Sequence, residues 1–326
     1  MLRKSVIATV ITAGLGAVSL GTQVHAQAVS VSLGDTISVE TLAMVIALER
    51  AKERGVPYKL TSFSKEDLAI QAVLSGQTPV GIATPYAVMQ KTRGAIKNLA
   101  QLTRLVFFAV VDKSAYKSWK DLNGQPMTFH ARGSGTEAIG NIMAARNGIK
   151  FGQRNYISGS ENRIVALLKG QIKATILDLA NTNILMGKAS DRFMTLPGLE
   201  NPASDEILFA RSDWIAKNPK QLDILVGEFV RLWAEMKKNP GIIEQERAKR
   251  GLLKDLPKQV VAGTTKFYTD GVKAGLFNPL GSGQSIAKSD FEFYVEAGQV
   301  KGPAASLKVE DFWHLGPYDK AVKAAM

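Results

Sequence analysis

The sequence predicts an α/β protein of two lobes, each a mostly parallel sheet flanked by helices, joined by a hinge of two crossing strands. Three observations carry this reading. Short β-branched runs alternate with longer helical patterns, the signature of successive βαβ units. That rhythm breaks near residue 112, restarts, and ends near residue 205. The chain has 326 residues, enough for two separate cores.

In the first lobe, Val29 to Leu33 reads as a buried strand. Asp35-Thr36-Ile37-Ser38 follows as a turn, with Ser38 as N-cap of a helix over Val39 to Arg54 that Gly55 stops. Val39, Leu42, Ala43 and Ile46 share one face of that helix. Tyr58 to Phe63 is a second strand. Ser64-Lys65-Glu66-Asp67 reads as a capped helix start, and Gly76 closes that helix. Val80 to Ala83 is a short strand, and Thr84-Pro85-Tyr86 sets proline in the first turn of the next helix. Leu105 to Val111 is the extended run that leaves this lobe.

The second lobe repeats the pattern. Strands are predicted at Pro126 to His130, Arg154 to Ile157, Ala174 to Leu177 and Phe193 to Leu196. Helices are predicted at Thr136 to Arg146, Asn162 to Lys169 and Leu179 to Met186, each followed by glycine. Glu206 to Ala210 returns to the first lobe, and helices follow at Pro219 to Lys238 and Pro257 to Ala274. The expected division is residues 27–112 with 206–326 as lobe I and 113–205 as lobe II. Two crossings make a hinge, and the cleft between the lobes can close on a ligand.

Residues 1–26 read as an export signal. Arg3 and Lys4 precede an uncharged stretch from Val6 to Leu20, and Val24-His25-Ala26 supplies small residues before a cleavage after Ala26. The expected location is therefore the periplasm. Cysteine is absent, which excludes disulfides, thiolate metal sites and cysteine nucleophiles. The net charge of +12 becomes +10 once Arg3 and Lys4 leave with the signal. Lys and Arg are scattered, and even the dense run from Lys237 to Lys258 contains Glu244, Glu246 and Asp255. That pattern is a solvated face rather than a nucleic-acid site.

Three segments resemble the periplasmic solute-binding proteins of ABC importers, the nitrate, alkanesulfonate and taurine (NMT1-like) family. They are the stretch from Ala72 to Ala83, the stretch from Ser118 to Thr128 followed by Gly133-Ser134-Gly135-Thr136, and the stretch from Val165 to Ala174. Pro79 and Lys173 stand where that family usually carries Asp. The resemblance spans nearly all of the chain after residue 26. It implies the periplasmic-binding-protein type II fold, a small-molecule ligand, and delivery of the loaded protein to a membrane permease. A monomer without cofactor is expected. Gly-Ser-Gly-Thr-Glu is also similar to a segment of TAXI-type receptors of sodium-driven tripartite carriers. Those have a glycine-rich loop where this chain has Asp35-Thr36-Ile37-Ser38, so that reading ranks second. Enzymes of the related pyrimidine-synthase type carry a cysteine-rich segment, which this chain lacks.

The ligand is expected at loops after strands, where helix N-termini converge. Arg132-Gly133-Ser134-Gly135-Thr136 is the leading candidate, because free N–H groups and a guanidinium favour a carboxylate or sulfonate. Ser134 with Glu137 also fits a capping box that needs no ligand. Thr84 and Tyr86 mark the equivalent loop of lobe I, and Asp35, Thr36 and Ser38 the loop after the first strand. Asp178 and Asn181 sit at a second-lobe strand end. An acid there can receive a ligand amine or hydroxyl, or pair with Arg132. The expected ligand is a small organic anion. No catalytic or metal constellation is predicted: His25, His130 and His314 form neither a zinc pair nor a triad, and Arg132 breaks the G-x-S-x-G elbow.

Overall fold

The computed structural model describes residues 27–198, 203–255, 257–278 and 280–325. The expected signal and its cleavage point lie outside the described residues. Lobe I opens with β1 (Val29–Leu33), α1 (Leu42–Glu53), β2 (Tyr58–Ser62), α2 (Glu66–Leu74), β3 (Val80–Ala83), the short α3 (Tyr86–Met89) and β4 (Ile96–Gln101). Lobe II follows with β5 (Phe107–Asp112), β6 (Met127–Phe129), α4 (Gly135–Arg146), β7 (Arg154–Tyr156), α5 (Ser160–Leu168), β8 (Ala174–Asp178), α6 (Leu179–Ala189) and β9 (Phe193–Thr195). The chain returns through β10 (Ile207–Arg211) to α7 (Ser212–Lys217), α8 (Pro219–Lys238), α9 (Ile242–Arg250), α10 (Lys258–Lys273), α11 (Gly283–Glu296), α12 (Val309–Phe312) and α13 (Gly316–Ala325).

Each lobe holds a five-stranded sheet, in the orders β2-β1-β3-β10-β4 and β7-β6-β8-β5-β9. The pairings β1–β2, β1–β3, β6–β7 and β6–β8 are parallel. Only β10 and β5 run against their neighbours. These are the two strands that enter a sheet from the other lobe, so the sheets are parallel except where the chain crosses. The β-branched and apolar strands are buried on both faces, as sheets covered by helices require.

Three expectations are corrected, and one strand, β4, is added that no sequence pattern marks. Its sequence IKNLAQ carries one β-branched residue and two polar side chains, Asn98 and Gln101, that the fold buries. Strand β5, expected as the last of lobe I, is hydrogen-bonded in the second sheet, so the chain changes sheets before residue 107 rather than after 112. Ser38 is not a helix N-cap. The helix starts at Leu42 after Thr41, whose hydroxyl donates to the Thr36 carbonyl at 3.0 Å and accepts from the Ser38 N–H at 3.0 Å. Ser64 does not cap α2; Lys65 holds the N-cap position, and Glu66 turns inward and is buried.

The crossings form a short hydrogen-bonded hinge. Leu102 N donates to Glu206 O at 2.8 Å, Leu105 N to Ala203 O at 2.9 Å, and Asp205 N to Thr103 O at 2.9 Å. Helix α11 fastens this hinge from behind. The buried Asp290 carboxylate accepts from Ser204 N at 2.8 Å, Ser204 Oγ at 2.6 Å and Tyr86 Oη at 2.8 Å. Gly135 allows the second lobe to close onto the hinge. A Cβ there would lie 2.2 Å from Leu105 Cδ2 and 3.0 Å from Asp205 Oδ1. No helix among the described residues is long and apolar enough to cross a membrane.

Candidate functional site

The cleft between the lobes measures about 840 Å³ with its open mouth included. Its chemistry is set by acids. Asp35, Glu40, Glu66, Asp205 and Glu206 reach it from lobe I and the hinge, and Glu161 and Asp178 from lobe II. Arg163 is the one cationic side chain in its lining. Phe107, Phe267 and Phe277 supply an apolar wall.

Each acid has a local reason for its place. Glu40 precedes the first turn of α1, which Tyr268 holds: its hydroxyl accepts from Ala43 N at 2.9 Å and donates to Val39 O at 2.7 Å. Glu66 packs against Gly34, where a Cβ would come within 3.1 Å of its Cγ. Thr84 donates to the Asp205 carbonyl at 3.0 Å and lies 3.4 Å from Glu66 Oε1. Glu206 is fixed by its N–H, which donates to Thr103 Oγ1 at 2.9 Å. Asp178 caps α6, accepting from Asn181 N and Asn181 Nδ2 at 2.8 Å each. Asn181 also spans the cleft, donating to Glu40 Oε1 at 3.3 Å.

Burial of so many carboxyls is costly when they are charged. Desolvation pushes Glu66 and Glu206 far above the usual carboxylate range, and neighbouring acids push the same way. Glu40 rises for the same two reasons, with Asp178 its strongest acidic neighbour. Asp205 is pushed up to about 8 by burial, then by Asp35 and Asp178. Burial raises Asp35 as well, and the Thr36 N–H, which donates to its carboxylate at 2.6 Å, opposes that rise.

Arg163 does not answer these charges with a contact. It is buried, and its guanidinium donates to Ile176 O at 3.1 Å, Ile157 O at 2.8 Å and Ser160 Oγ at 2.8 Å. It holds the β7–α5 loop to β8 and lends its field from below. Arg163→Ala strands those three acceptors and removes the only positive charge under the acids. The expected cost is about 3 kcal/mol of folding stability, read as a lower melting temperature of the ligand-free protein.

Two buried polar atoms at the cleft have no partner: Glu206 Oε2 and His130 Nε2. Burial and the Arg163 charge lower the His130 pKa to about 3, so its ring is neutral. Its Nδ1 accepts from Gly159 N at 3.3 Å, which leaves the proton on Nε2. The cleft therefore holds an imidazole N–H and a carboxyl oxygen that no protein group satisfies.

The expected site residues divide. Asp35, Ser134, Gly135, Thr136 and Asp178 line the cleft. Asn181 spans it, and Thr84 backs it by holding Asp205. The Ser134 and Thr136 hydroxyls bond to the Ala131 carbonyl, the His130 N–H and each other. Thr36 is exposed and Ser38 is occupied with Glu40 N, and neither lines the cleft. Tyr86 is corrected to a core residue: it is wholly buried, stacks on Tyr294 with centroids 4.2 Å apart, and spends its hydroxyl on Asp290 and Trp313 Nε1. Arg132 and Gly133 lie outside the cleft lining, on a second groove and on a smaller pocket shared with Glu66 and Asp67. Sequence reasoning missed Glu40, Glu66, His130, Glu161, Arg163, Asp205 and Glu206. The one available signal was Asp205-Glu206, an adjacent acid pair at the second crossing.

Residues 52–242, more than half of the chain, match the family model described as NMT1/THI5 like. The chain belongs to this family. No curated protein sequence matches it significantly. Solved structures share the NMT1/THI5-like chain's architecture at low identity. A protein from Bordetella bronchiseptica RB50 is 19% identical over 91% of this chain and 97% of its own, with a TM-score of 0.69. The alkanesulfonate-binding protein of Xanthomonas axonopodis pv. citri, bound to MOPS, is 16% identical over 84% and 94%, with a TM-score of 0.62. The periplasmic nitrate-binding protein of Synechocystis PCC 6803 is 13% identical over 91% and 88%, with a TM-score of 0.61. The fold is the periplasmic-binding-protein fold that these neighbours share.

Proposed function

We propose that this NMT1/THI5-like protein is an extracytoplasmic receptor that closes its lobes on a small organic cation and delivers it to an ABC importer. The importer role is supported by family membership and by neighbours whose names state binding for transport. The lining of the cleft supports the reading of the ligand's charge. Seven carboxyl side chains line it against one guanidinium, three of whose N–H groups are bonded to the protein. This lining is the observation that carries the reading. A sulfonate or carboxylate entering there would add charge of the wrong sign, and Arg132, the residue that pointed to an anion, is not in the lining.

The rest of the lining narrows the ligand. An amine, amidine or guanidine gives several N–H donors to acids, and Glu206 Oε2 waits for one. The three phenylalanines suit an apolar or planar body beside the cation. His130 Nε2–H suits one acceptor on the same molecule. No side chain arrangement here suggests turnover, so binding and release are the proposed activity.

Titration calorimetry of the purified protein with matched alkylamines, arylamidines, sulfonates and carboxylates tests this. Micromolar or tighter binding by members of the cationic set, with none by the anions, is the expected result. A sulfonate or carboxylate that binds tightly while every cation fails would sink the assignment.

A further inference from the structure

The loop that the sequence singled out lies between two cavities of opposite charge. Ser134, Gly135 and Thr136 line the acidic cleft, whereas Arg132 and Gly133 line a second groove of about 1330 Å³, open mouth included. Four cations face this groove: Lys91 and Lys301 from lobe I, Arg132 and Arg154 from lobe II. Its one acid is Glu137. That carboxylate is already committed, accepting from Gly133 N at 2.7 Å, Tyr156 Oη at 2.6 Å and Arg154 Nη1 at 3.3 Å. Among the described residues, Lys91, Arg132 and Lys301 have no carboxylate partner.

The three unpaired cations are held together by the fold rather than scattered. Gln90 makes two hydrogen bonds with Lys301, Nε2 donating to its carbonyl and Oε1 accepting from its N–H, each at 2.8 Å. This sets Lys91 and Lys301 on neighbouring strands of chain. Arg132 is held over the Tyr156 ring, with Cζ 5.3 Å from the centroid. The lobes touch at this point, since a Cβ on Gly133 would lie 3.1 Å from Ala87 Cβ. Like charges converging on one concave space repel until a counter-charge fills it.

We propose that this groove is a second binding site, for a compact polyvalent oxyanion such as phosphate or a tricarboxylate, held by Lys91 and Lys301 on one lobe and Arg132 on the other. Arg132 contributes a planar fork and the lysines contribute point charges. Three unpaired charges are too few for an extended polyanion, which needs a continuous basic track. The site does not depend on the identity of the cleft ligand.

The test compares wild-type protein with an Arg132→Gln/Lys301→Gln double variant. Binding of inorganic phosphate, sulfate and citrate is measured by calorimetry at low, matched ionic strength, with chloride as control. Wild type should bind one polyvalent anion, and the double variant should bind it roughly tenfold more weakly or worse. Glu206→Gln, which alters only the acidic cleft, should keep the full anion affinity. Equal binding by wild type and the double variant overturns the proposal. So does anion binding that Glu206→Gln abolishes and the double variant retains.

Discussion

Asp205→Asn/Glu206→Gln together should weaken cation binding roughly 100- to 1000-fold, the equivalent of about 3–4 kcal/mol. Both residues sit on the hinge, where each lobe contributes to their surroundings. Glu206 carries the unpartnered Oε2, and the Asp205 carboxylate lies beside Gly135 of the other lobe. Asn and Gln keep the shape and hydrogen-bonding capacity, so the loss reports charge and not volume. The ligand-free variant should be no less stable than wild type above pH 8, because two mutually repelling carboxyls are gone. Calorimetric affinity together with a melting curve separates the two effects. A dissociation constant that moves less than about threefold would show that these acids do not hold the ligand.

What was legible in the sequence follows from how far apart the cooperating residues are. The strands β1 and β3 are β-branched runs that need no partner to be read, and their spacing to the helices betrays parallel sheets. The chain restart after the first crossing gives the second lobe. The strand β4 is invisible because its pairing with β10 joins residues over a hundred positions apart. The cleft is harder still. Its acids come from residues 35–40, 66, 161, 178 and 205–206, and none of these spacings is a motif. Local rules also pulled the wrong way. Glu66 fits a helix start, and only the packing of α2 against Gly34 shows that it is buried. Arg132 stands beside a glycine-rich helix start, the usual place for an anion. Its side chain instead lies over the Tyr156 ring, and Gly133 at φ 79° separates it from the helix start. The expectation of an anion rests on the one charged residue of that loop, and that residue lies outside the cleft lining.

The affinity for the cation should rise steeply with pH, and the stability of the empty protein should fall. The sign follows from the raised carboxyl pKa values. A carboxyl that binds its proton more tightly when folded stabilises the fold at low pH. For Asp205 that contribution is complete below the ordinary value of 3.8 and is lost as pH rises through about 8. Glu40, Glu66 and Glu206 shift in the same direction, chiefly through burial. The empty protein should thus melt at a higher temperature at pH 5 than at pH 8. A bound cation reverses the balance, because it favours the charged carboxylates and expels their protons. If one to two protons leave, affinity rises roughly 10- to 100-fold per pH unit between pH 5 and 7 and levels off once the acids are ionised without ligand. Calorimetry in two buffers of different ionisation enthalpy counts those protons directly. A neutral donor-rich ligand would bind with no proton release and with affinity that is flat or falling as pH rises. The proton count therefore separates a cation from a neutral hydrogen-bond donor even before the ligand is identified. It also ties the burial of the acids to capture: the protons that make the empty cleft tolerable are the ones the ligand displaces.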